Sequence, residues 1–174
     1  MKRTKYLLST VLAVSLLGFS SCDDYLDKLP DNRMELKSTD DVSNLLVSAY
    51  SSRYPAYLLE MYSDNTDCID NTGWTEADKF QGQAYRWEDI TEIQDDEAPQ
   101  QLWNAYYKAI SAANASIEYI VKLSDTEKTE YSAQLGEALL CRAYGEFMLS
   151  TVFCDAYDKS TAASKLGLPY PEHT

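Results

Sequence analysis

Residues 99–122 read PQQLWNAYYKAISAANASIEYIVK, and this stretch decides the fold. Pro99 suits the first position of an α-helix, because its missing N–H has no partner to lose there. Large and small apolar residues then recur every three or four positions, which places them on one helical face. They are Trp103, Tyr106, Ile110, Ala113, Ile117 and Ile120. The pattern predicts a long amphipathic helix with Trp103 in the core.

A second long helix is predicted over residues 124–155. Ser124 and Glu127 have the spacing of a capping box, in which each satisfies a backbone N–H at the helix start. Gly136, Ala138 and Ala143 form a low ridge that favours close approach of a neighbouring helix. The connection between the two helices is short, so we expect an antiparallel hairpin. The apolar positions that predict the second helix are Leu135, Leu139, Ala143, Phe147 and Phe153.

An earlier helical segment is predicted over residues 39–61. Ser38 can cap it, with Asp41 as the reciprocal partner. Pro55 should break or kink it near Tyr54, and residues 56–62 would form a short second piece. Its apolar stripe consists of Val42, Leu45, Leu46, Ala49 and Tyr50.

Residues 63–98 have a different character, with 11 acidic and two basic residues and no persistent period. Asn71-Thr72-Gly73 and Gln81-Gly82 are typical of turns. A long irregular segment inside a compact domain is usually functional or disordered. Its aromatic residues argue against simple disorder. They are Trp74, Phe80, Tyr85 and Trp87.

The amino terminus is typical of a secretory signal. Lys2, Arg3 and Lys5 precede an apolar run over residues 7–17, and small residues follow. Cys22 comes directly after two serines, as in a bacterial lipobox, so we expect cleavage after residue 21 and acylation of Cys22. Acyl chains contribute about 0.8 kcal/mol per buried methylene, which anchors a multiply acylated protein. The alternative is an ordinary signal peptide with a chance cysteine.

Charge and cysteine content exclude several classes of function. Cleavage before Cys22 removes three of the 15 basic residues and none of the 28 acidic ones, so the net charge changes from −13 to −16. Such a surface repels phosphate backbones, and we expect no nucleic-acid partner. His173 is the single histidine, which disfavours a histidine zinc site or a Ser-His-Asp triad. Cys68, Cys141 and Cys154 form no C-x-x-C pair, and we expect buried thiols.

Helical hairpins of this kind look like tetratricopeptide units, which bury their faces only by stacking. The predicted fold class is therefore all-α: tetratricopeptide-like antiparallel hairpins with a long irregular loop rich in aromatic and acidic residues.

Four blocks of sequence resemble the SusD/RagB family of outer-membrane nutrient-binding lipoproteins. They are Ser21-Cys22-Asp23-Asp24-Tyr25-Leu26-Asp27 with Pro30; Leu102-Trp103-Asn104-Ala105-Tyr106-Tyr107-Lys108-Ala109-Ile110 with Asn114; Gly136-Glu137-Ala138-Leu139-Leu140-Cys141-Arg142-Ala143-Tyr144-Gly145-Glu146-Phe147; and Leu166-Gly167-Leu168-Pro169-Tyr170-Pro171. Their order and spacing agree with the family. Family members are much longer, so we expect an incomplete SusD-like N-terminal helical domain over residues 38–174, after a signal peptide (1–21) and a tether (22–37).

The resemblance implies a non-enzymatic, lipid-anchored protein on the outer face of the outer membrane. It implies a SusC-like TonB-dependent transporter as partner and an oligosaccharide or other nutrient as ligand, with no cofactor. A helical-repeat scaffold that binds only protein is the alternative. A glycosidase with two carboxylates is a third hypothesis, which no pair of residues supports.

Sugar binding requires flat apolar faces and a few fixed polar groups. The candidates are Trp74 and Trp87 as stacking platforms, with Tyr85, Arg86 and Asp67 as hydroxyl partners. Plain packing of the loop is the alternative for the aromatic residues. Asp64, Asp67 and Asp70 lack the central glycine of a calcium loop, so a solvated acidic loop is the expected interpretation.

Overall fold

The structure, a computed structural model, describes residues 36–67 and 79–172, and all regular secondary structure within these ranges is helical. The helices are α1 (Thr39–Leu46), α2 (Ala56–Met61), α3 (Phe80–Tyr85), α4 (Pro99–Val121), α5 (Asp125–Glu130) and α6 (Ser132–Phe153). Short 3-10 turns occupy Val47–Ala49 and Ala162–Ser164. The predicted all-α class is confirmed, whereas the tetratricopeptide-like arrangement stays a prediction.

Helices α4 and α6 form the antiparallel hairpin at the centre of the fold. Near the end of α4, the ring of Tyr119 lies 5.9 Å from that of Tyr131, which directly precedes α6. Near the start of α4, the ring of Trp103 lies 5.1 Å from that of Phe153, the last residue of α6. Because early residues of one helix meet late residues of the other, the two run in opposite directions, as predicted.

The second predicted helix is divided in two. Its capping box is present, since Ser124 Oγ accepts from the backbone N–H of Glu127 and the carboxylate of Glu127 accepts from that of Ser124. Helix α5 then ends at Glu130, and Tyr131 leaves the helical conformation with φ −95° and ψ 11°. Tyr131 is buried against Tyr119. Burial of this ring coincides with the break between α5 and α6, which the apolar spacing did not indicate.

The buried face of α6 also differs from the prediction. Leu139 and Phe147 are exposed by 43% and 62%, and Gly136 and Ala143 are exposed as well. The residues that face the core are instead Ala138, Cys141, Gly145 and Leu149. Three of these four are small, so α6 approaches α4 closely along this line. Of the predicted ridge of small residues only Ala138 is buried, and of the predicted large apolar residues only Leu135 and Phe153 pack against the core.

Helix α1 starts as predicted and ends early. The Ser38–Asp41 capping box is formed, but the helix gives way to the 3-10 turn after Leu46 and does not reach Tyr54. Pro55 then precedes α2, as its fixed φ favours. Arg53 ties the intervening segment to the later loop through Asp96, 2.8 Å away.

Two apolar clusters form the core. The first surrounds the second half of α4 and contains Val42, Leu46, Ala49, Ala113, Ile120, Tyr131, Ala138 and Cys141. The second surrounds the first half of α4 and contains Leu58, Phe80, Ala98, Leu102, Tyr106, Ile110 and Leu149. Trp103 packs on the rim of the second cluster and is half-buried, so its predicted core position is only partly correct.

The turn predicted at Gln81-Gly82 is wrong, because both residues lie inside α3. Phe80 is fully buried in the second core cluster, and this tertiary contact outweighs the weak helical preference of the segment. The other predicted turn, at residues 71–73, lies outside the described residues.

The carboxy-terminal segment lies along the hairpin. Tyr107 Oη donates to the carbonyl oxygen of Pro169 at 2.8 Å, and Asn114 Nδ2 donates to that of Pro171 at 2.6 Å. Arg142 donates across the hairpin to Asn114 Oδ1 at 3.3 Å, and its guanidinium lies 5.8 Å from the centre of the Tyr170 ring. Asn114 thus bonds a neighbouring backbone, and Arg142 pairs between helices.

Cys141 and Cys154 are free thiols, the first buried and the second half-buried; Cys68 lies outside the described residues. Within the described parts of the chain, no helix combines the length and apolar character needed to cross a membrane.

Candidate functional site

The end of α3 has an unusual backbone conformation at Trp87. The N–H of Trp87 donates to the carbonyl of Ala84 at 3.0 Å, and that of Glu88 donates to the carbonyl of Gln83 at 2.9 Å. These two bonds form a Schellman motif, which needs a residue with positive φ after the helix. Glycine is usual there, but Trp87 has φ 56°. A bulky residue in this conformation is rare.

The Trp87 side chain is 75% exposed despite this backbone conformation. A left-handed residue with a Cβ costs roughly 1–2 kcal/mol, and such strain concentrates at functional sites. The ring of Tyr62 lies 5.0 Å from the indole at an interplanar angle of 60°. This edge contact supports the indole from one side, while most of its surface remains open to solvent.

Gln83 holds the loop that follows Trp87. Its buried side-chain amide donates to Thr91 Oγ1 at 2.9 Å, and its oxygen accepts from the backbone N–H of Thr91 at 3.0 Å. The same oxygen also accepts from the backbone N–H of Glu92 at 3.5 Å, so three hydrogen bonds from one side chain fix the loop to α3. This arrangement helps to hold the strained turn at Trp87.

The residues before and after Trp87 in the sequence carry polar side chains. Tyr85 Oη donates to Asp67 Oδ1 at 3.2 Å. Arg86 and Glu88 form a two-pronged ion pair, with Nε–Oε1 and Nη2–Oε2 distances of 2.9 and 2.8 Å. Hydrogen bonding from Arg86 lowers the pKa of the Glu88 carboxyl, so the pair stays ionised at neutral pH. The two parallel bonds hold the Arg86 and Glu88 side chains, which stand on either side of Trp87 in the sequence, in fixed positions relative to each other.

These contacts bring the carboxyl ends of α2 and α3 together. We call the resulting region the Trp87 surface; it consists of Tyr62, Asp67, Tyr85, Arg86, Trp87 and Glu88. Four of the five candidate ligand-binding residues from the sequence, Asp67, Tyr85, Arg86 and Trp87, lie in it. The fifth, Trp74, lies outside the described residues, as does Asp70 of the acidic loop.

Sequence reasoning missed Tyr62, Glu88 and Gln83. Tyr62 is the last residue of the predicted short helix, and its contact with Trp87 depends on how α2 packs against α3. Glu88 stands two residues after Arg86, and this charge spacing was an available signal. The role of Gln83 was missed because the sequence predicted a turn at Gln81-Gly82, where the structure has the helix that contains Gln83.

Among the residues that the structure describes, no group of three or more histidine, cysteine, aspartate or glutamate side chains is placed to hold a metal ion.

A protein-family model identifies the chain. The model SusD-like_3, described as starch-binding and associating with the outer membrane, matches residues 24–171. The chain belongs to this SusD-like family. The match includes all of the Trp87 surface and the α4–α6 hairpin. Comparisons with curated proteins and with solved structures gave no significant match. The SusD-like assignment agrees with the resemblance seen in the sequence, and the family's description is of binding proteins.

Proposed function

We propose that this SusD-like protein binds saccharides at the cell surface through the Trp87 surface. The observation that carries the proposal is an indole 75% exposed at a backbone position with φ 56°. Folding alone would favour glycine at this position. A flat apolar ring of this kind can stack on the C–H face of a sugar.

The polar members of the Trp87 surface supply hydrogen-bonding groups for sugar hydroxyls. Asp67 and Tyr85 already bond to each other, as do Arg86 and Glu88, so their positions are set before a ligand arrives. Preorganisation of this kind lowers the entropic cost of binding. We propose Trp74 as a second stacking platform, on the basis of its residue type and its place in the same sequence segment, residues 63–98.

Calorimetry with a panel of oligosaccharides tests this function. Loss of a stacking contact worth about 0.5–1.5 kcal/mol predicts that Trp87→Ala weakens binding by up to about tenfold. Tyr157→Ala is the control, because Tyr157 is also a highly exposed aromatic residue, at 83%, in the segment after α6. Equal affinities for the two variants would contradict the assignment of Trp87.

For cellular placement, we propose a signal peptide over residues 1–21, acylation at Cys22, a tether over residues 22–37 and a helical domain from residue 38. The family description of outer-membrane association supports this proposal. Mass spectrometry of the mature protein tests it. An unmodified Cys22 would contradict lipid anchoring.

We further propose a SusC-like TonB-dependent transporter as partner, on the basis of family membership. Purification of the tagged protein from outer membranes in mild detergent should recover a large transporter. Its consistent absence, with the protein itself well expressed, would count against this partner.

The outer face of α6 favours a second candidate, a protein-interaction scaffold. Leu139, Leu140, Tyr144 and Phe147 are exposed by 43–70% on this face. Exposed apolar patches often mark protein contacts. Transporter recovery together with no saccharide binding would support the scaffold and contradict the leading proposal.

A further inference from the structure

Helix α6 exposes a side that carries no charged residue. Its three charged residues, Glu137, Arg142 and Glu146, are all half-buried, and every exposed residue of the helix is uncharged. A helix at a protein surface normally presents charged and polar side chains to water, and 25% of this chain is charged. We call the apolar part of this side the α6 face; it consists of Gly136, Leu139, Leu140, Ala143, Tyr144 and Phe147.

The charged residues of α6 are held by other parts of the fold. Glu137 accepts a hydrogen bond from Tyr50 Oη at 2.8 Å. Arg142 donates across the hairpin to Asn114 Oδ1 at 3.3 Å, and one carboxylate oxygen of Glu146 is buried. Another surface can therefore approach the α6 face without desolvating a charge on it, which would be costly.

The apolar surface continues from α6 onto the segment before α2. Val47, Tyr50 and Tyr54 of that segment are exposed by 71%, 61% and 66%. A cavity of about 370 Å³ lies between the segment and α6, and its lining includes Tyr50, Tyr54, Leu140 and Tyr144. The two elements therefore form one continuous patch, and exposed apolar patches of this kind mark contact sites.

The patch is large enough for a stable protein interface. An aromatic side chain can bury about 150–250 Å², so the four aromatic residues of the patch, exposed by 48–66%, offer roughly 350–600 Å². The three aliphatic residues, exposed by 43–71%, add to this area. A standard interface buries about 800 Å² on each partner. The patch therefore approaches the area that a dimer needs.

The order of large and small residues on the α6 face is self-complementary. If a second α6 packs antiparallel about a twofold axis between positions 141 and 142, position 136 faces 147, 139 faces 144 and 140 faces 143. Phe147 then lies over the glycine at 136, and Leu140 lies over the alanine at 143. Each contact occurs twice, as in any isologous pair. A parallel pair would instead place phenylalanine on phenylalanine and glycine on glycine, which packs poorly.

Charge also favours an uncharged surface as the occupant. A basic partner would find no carboxylate on the α6 face to pair with, and burying its cations there would be unfavourable. A second copy presents the same uncharged face. Its net charge of −13 repels the first copy at long range, but salt screens this repulsion beyond about 8 Å at physiological ionic strength.

We propose that two copies of this chain pair through the α6 face, with the two α6 helices antiparallel about a twofold axis between positions 141 and 142. The inference rests on the second candidate function, because it names the partner that this face binds. It is independent of saccharide binding at the Trp87 surface, with which the patch shares no residue.

Sedimentation equilibrium of the full chain in density-matched non-ionic detergent tests the pairing. We expect a monomer–dimer equilibrium that tightens as salt is added, because salt screens the net negative charge. Leu140→Lys should raise the dissociation constant at least about tenfold, since two cations would be desolvated in the contact. Leu166→Lys is the matched control, because Leu166 is 96% exposed outside the patch, and it should leave the constant unchanged.

Cysteine cross-linking in cells tests the antiparallel register. Gly136→Cys and Phe147→Cys on two differently tagged, co-expressed copies should form a mixed disulfide when copper–phenanthroline is added as oxidant. Gly136→Cys expressed alone is the control. In the antiparallel pair its two cysteines lie about 16 Å apart along the helices, beyond the reach of a disulfide. The unaltered chain controls for the native cysteines.

The outcomes separate this inference from the saccharide proposal. A chain that stays monomeric up to its highest soluble concentration, or a dimer that Leu140→Lys leaves intact, would overturn the pairing and leave saccharide binding untouched. Strong cross-linking of Gly136→Cys to itself would overturn the antiparallel register. Cross-links from this position to a different protein alone would assign the face to another partner and overturn the inference. A dimer without saccharide affinity would support the pairing and contradict the leading function.

Discussion

Ile110 lies so close to Gly145 that a Cβ on the glycine would be 2.8 Å from Ile110 Cγ1 and 3.2 Å from its Cδ1. Ile110 is 1% exposed and belongs to the second core cluster. Since its side chain has little room to move, this contact sets the separation of α4 and α6. The close approach of the two helices at this point therefore depends on the absence of a methyl group at position 145.

We expect Gly145→Ala to destabilise the protein. The substitution gains about 1 kcal/mol in helix propensity, but overpacking typically costs about 1–3 kcal/mol. Gly136→Ala is the control in the same helix, because nothing lies within 4 Å of its added Cβ. This variant should be more stable than the unaltered chain by about 0.5–1 kcal/mol. Urea unfolding measures the free energy of unfolding of both variants. Equal stabilisation by Gly145→Ala and Gly136→Ala would contradict the close contact at Gly145.

Trp87 offers a test of backbone strain that is separate from ligand binding. Trp87→Gly and Trp87→Ala both remove the indole, but only glycine relieves the positive φ. We therefore expect Trp87→Gly to be more stable than Trp87→Ala by roughly 1 kcal/mol in thermal or urea unfolding. Both variants should bind saccharide weakly. Equal stability of the two would show that residue 87 does not hold a left-handed conformation.

The cap at the start of α5 should contribute measurably to stability. Ser124→Ala removes the acceptor for a backbone N–H of the first turn, at a cost of about 1 kcal/mol at neutral pH. Ser132→Ala, an exposed serine at the start of α6 without a capping bond, should change stability by less than about 0.5 kcal/mol. Chemical unfolding of both variants checks the difference. An equal loss in the two would contradict a specific capping role for Ser124.

The same cap predicts a dependence on pH. The side chain of Ser124, followed by its backbone N–H, lowers the pKa of Glu127 from its ordinary 4.5. A lowered pKa in the folded state adds stability above the unfolded value, and this stability is lost as pH falls through the folded value. The difference between the unaltered chain and Glu127→Gln should therefore shrink as pH falls below 4.5. A difference that grows in acid would contradict the assignment.

Asn114 should hold the carboxy-terminal segment against the hairpin. The residue is 1% exposed and bonds to both Pro171 and Arg142. Asn114→Ala should cost about 1–3 kcal/mol, because it leaves buried polar groups without their partners. Hydrogen exchange over residues 166–171 should also accelerate. Asn104→Ala, an exposed asparagine on the same helix, is the control and should leave this exchange unchanged.

Local signals in the sequence were sufficient to predict where α1, α4 and α5 begin. The capping boxes at Ser38 and Ser124 and the proline at position 99 act through backbone groups within one turn. The regular spacing of apolar residues also predicted α4 correctly, because a single face of that helix is buried along its whole length. The position of the Trp87 surface was partly readable too, since the unusual aromatic and charged residues of the loop stand near each other in the chain.

Only the tertiary structure decided which face of α6 is buried, that Gln81-Gly82 is helical, and that Tyr62 supports Trp87. Each depends on a neighbour that is distant in sequence: Ile110 for Gly145, the second core cluster for Phe80, and the packing of α2 on α3 for Tyr62. Hydrophobic spacing ranks residues by size and polarity. Close packing between two helices instead favours the smallest residue at the point of contact. The partner helix determines where that point lies.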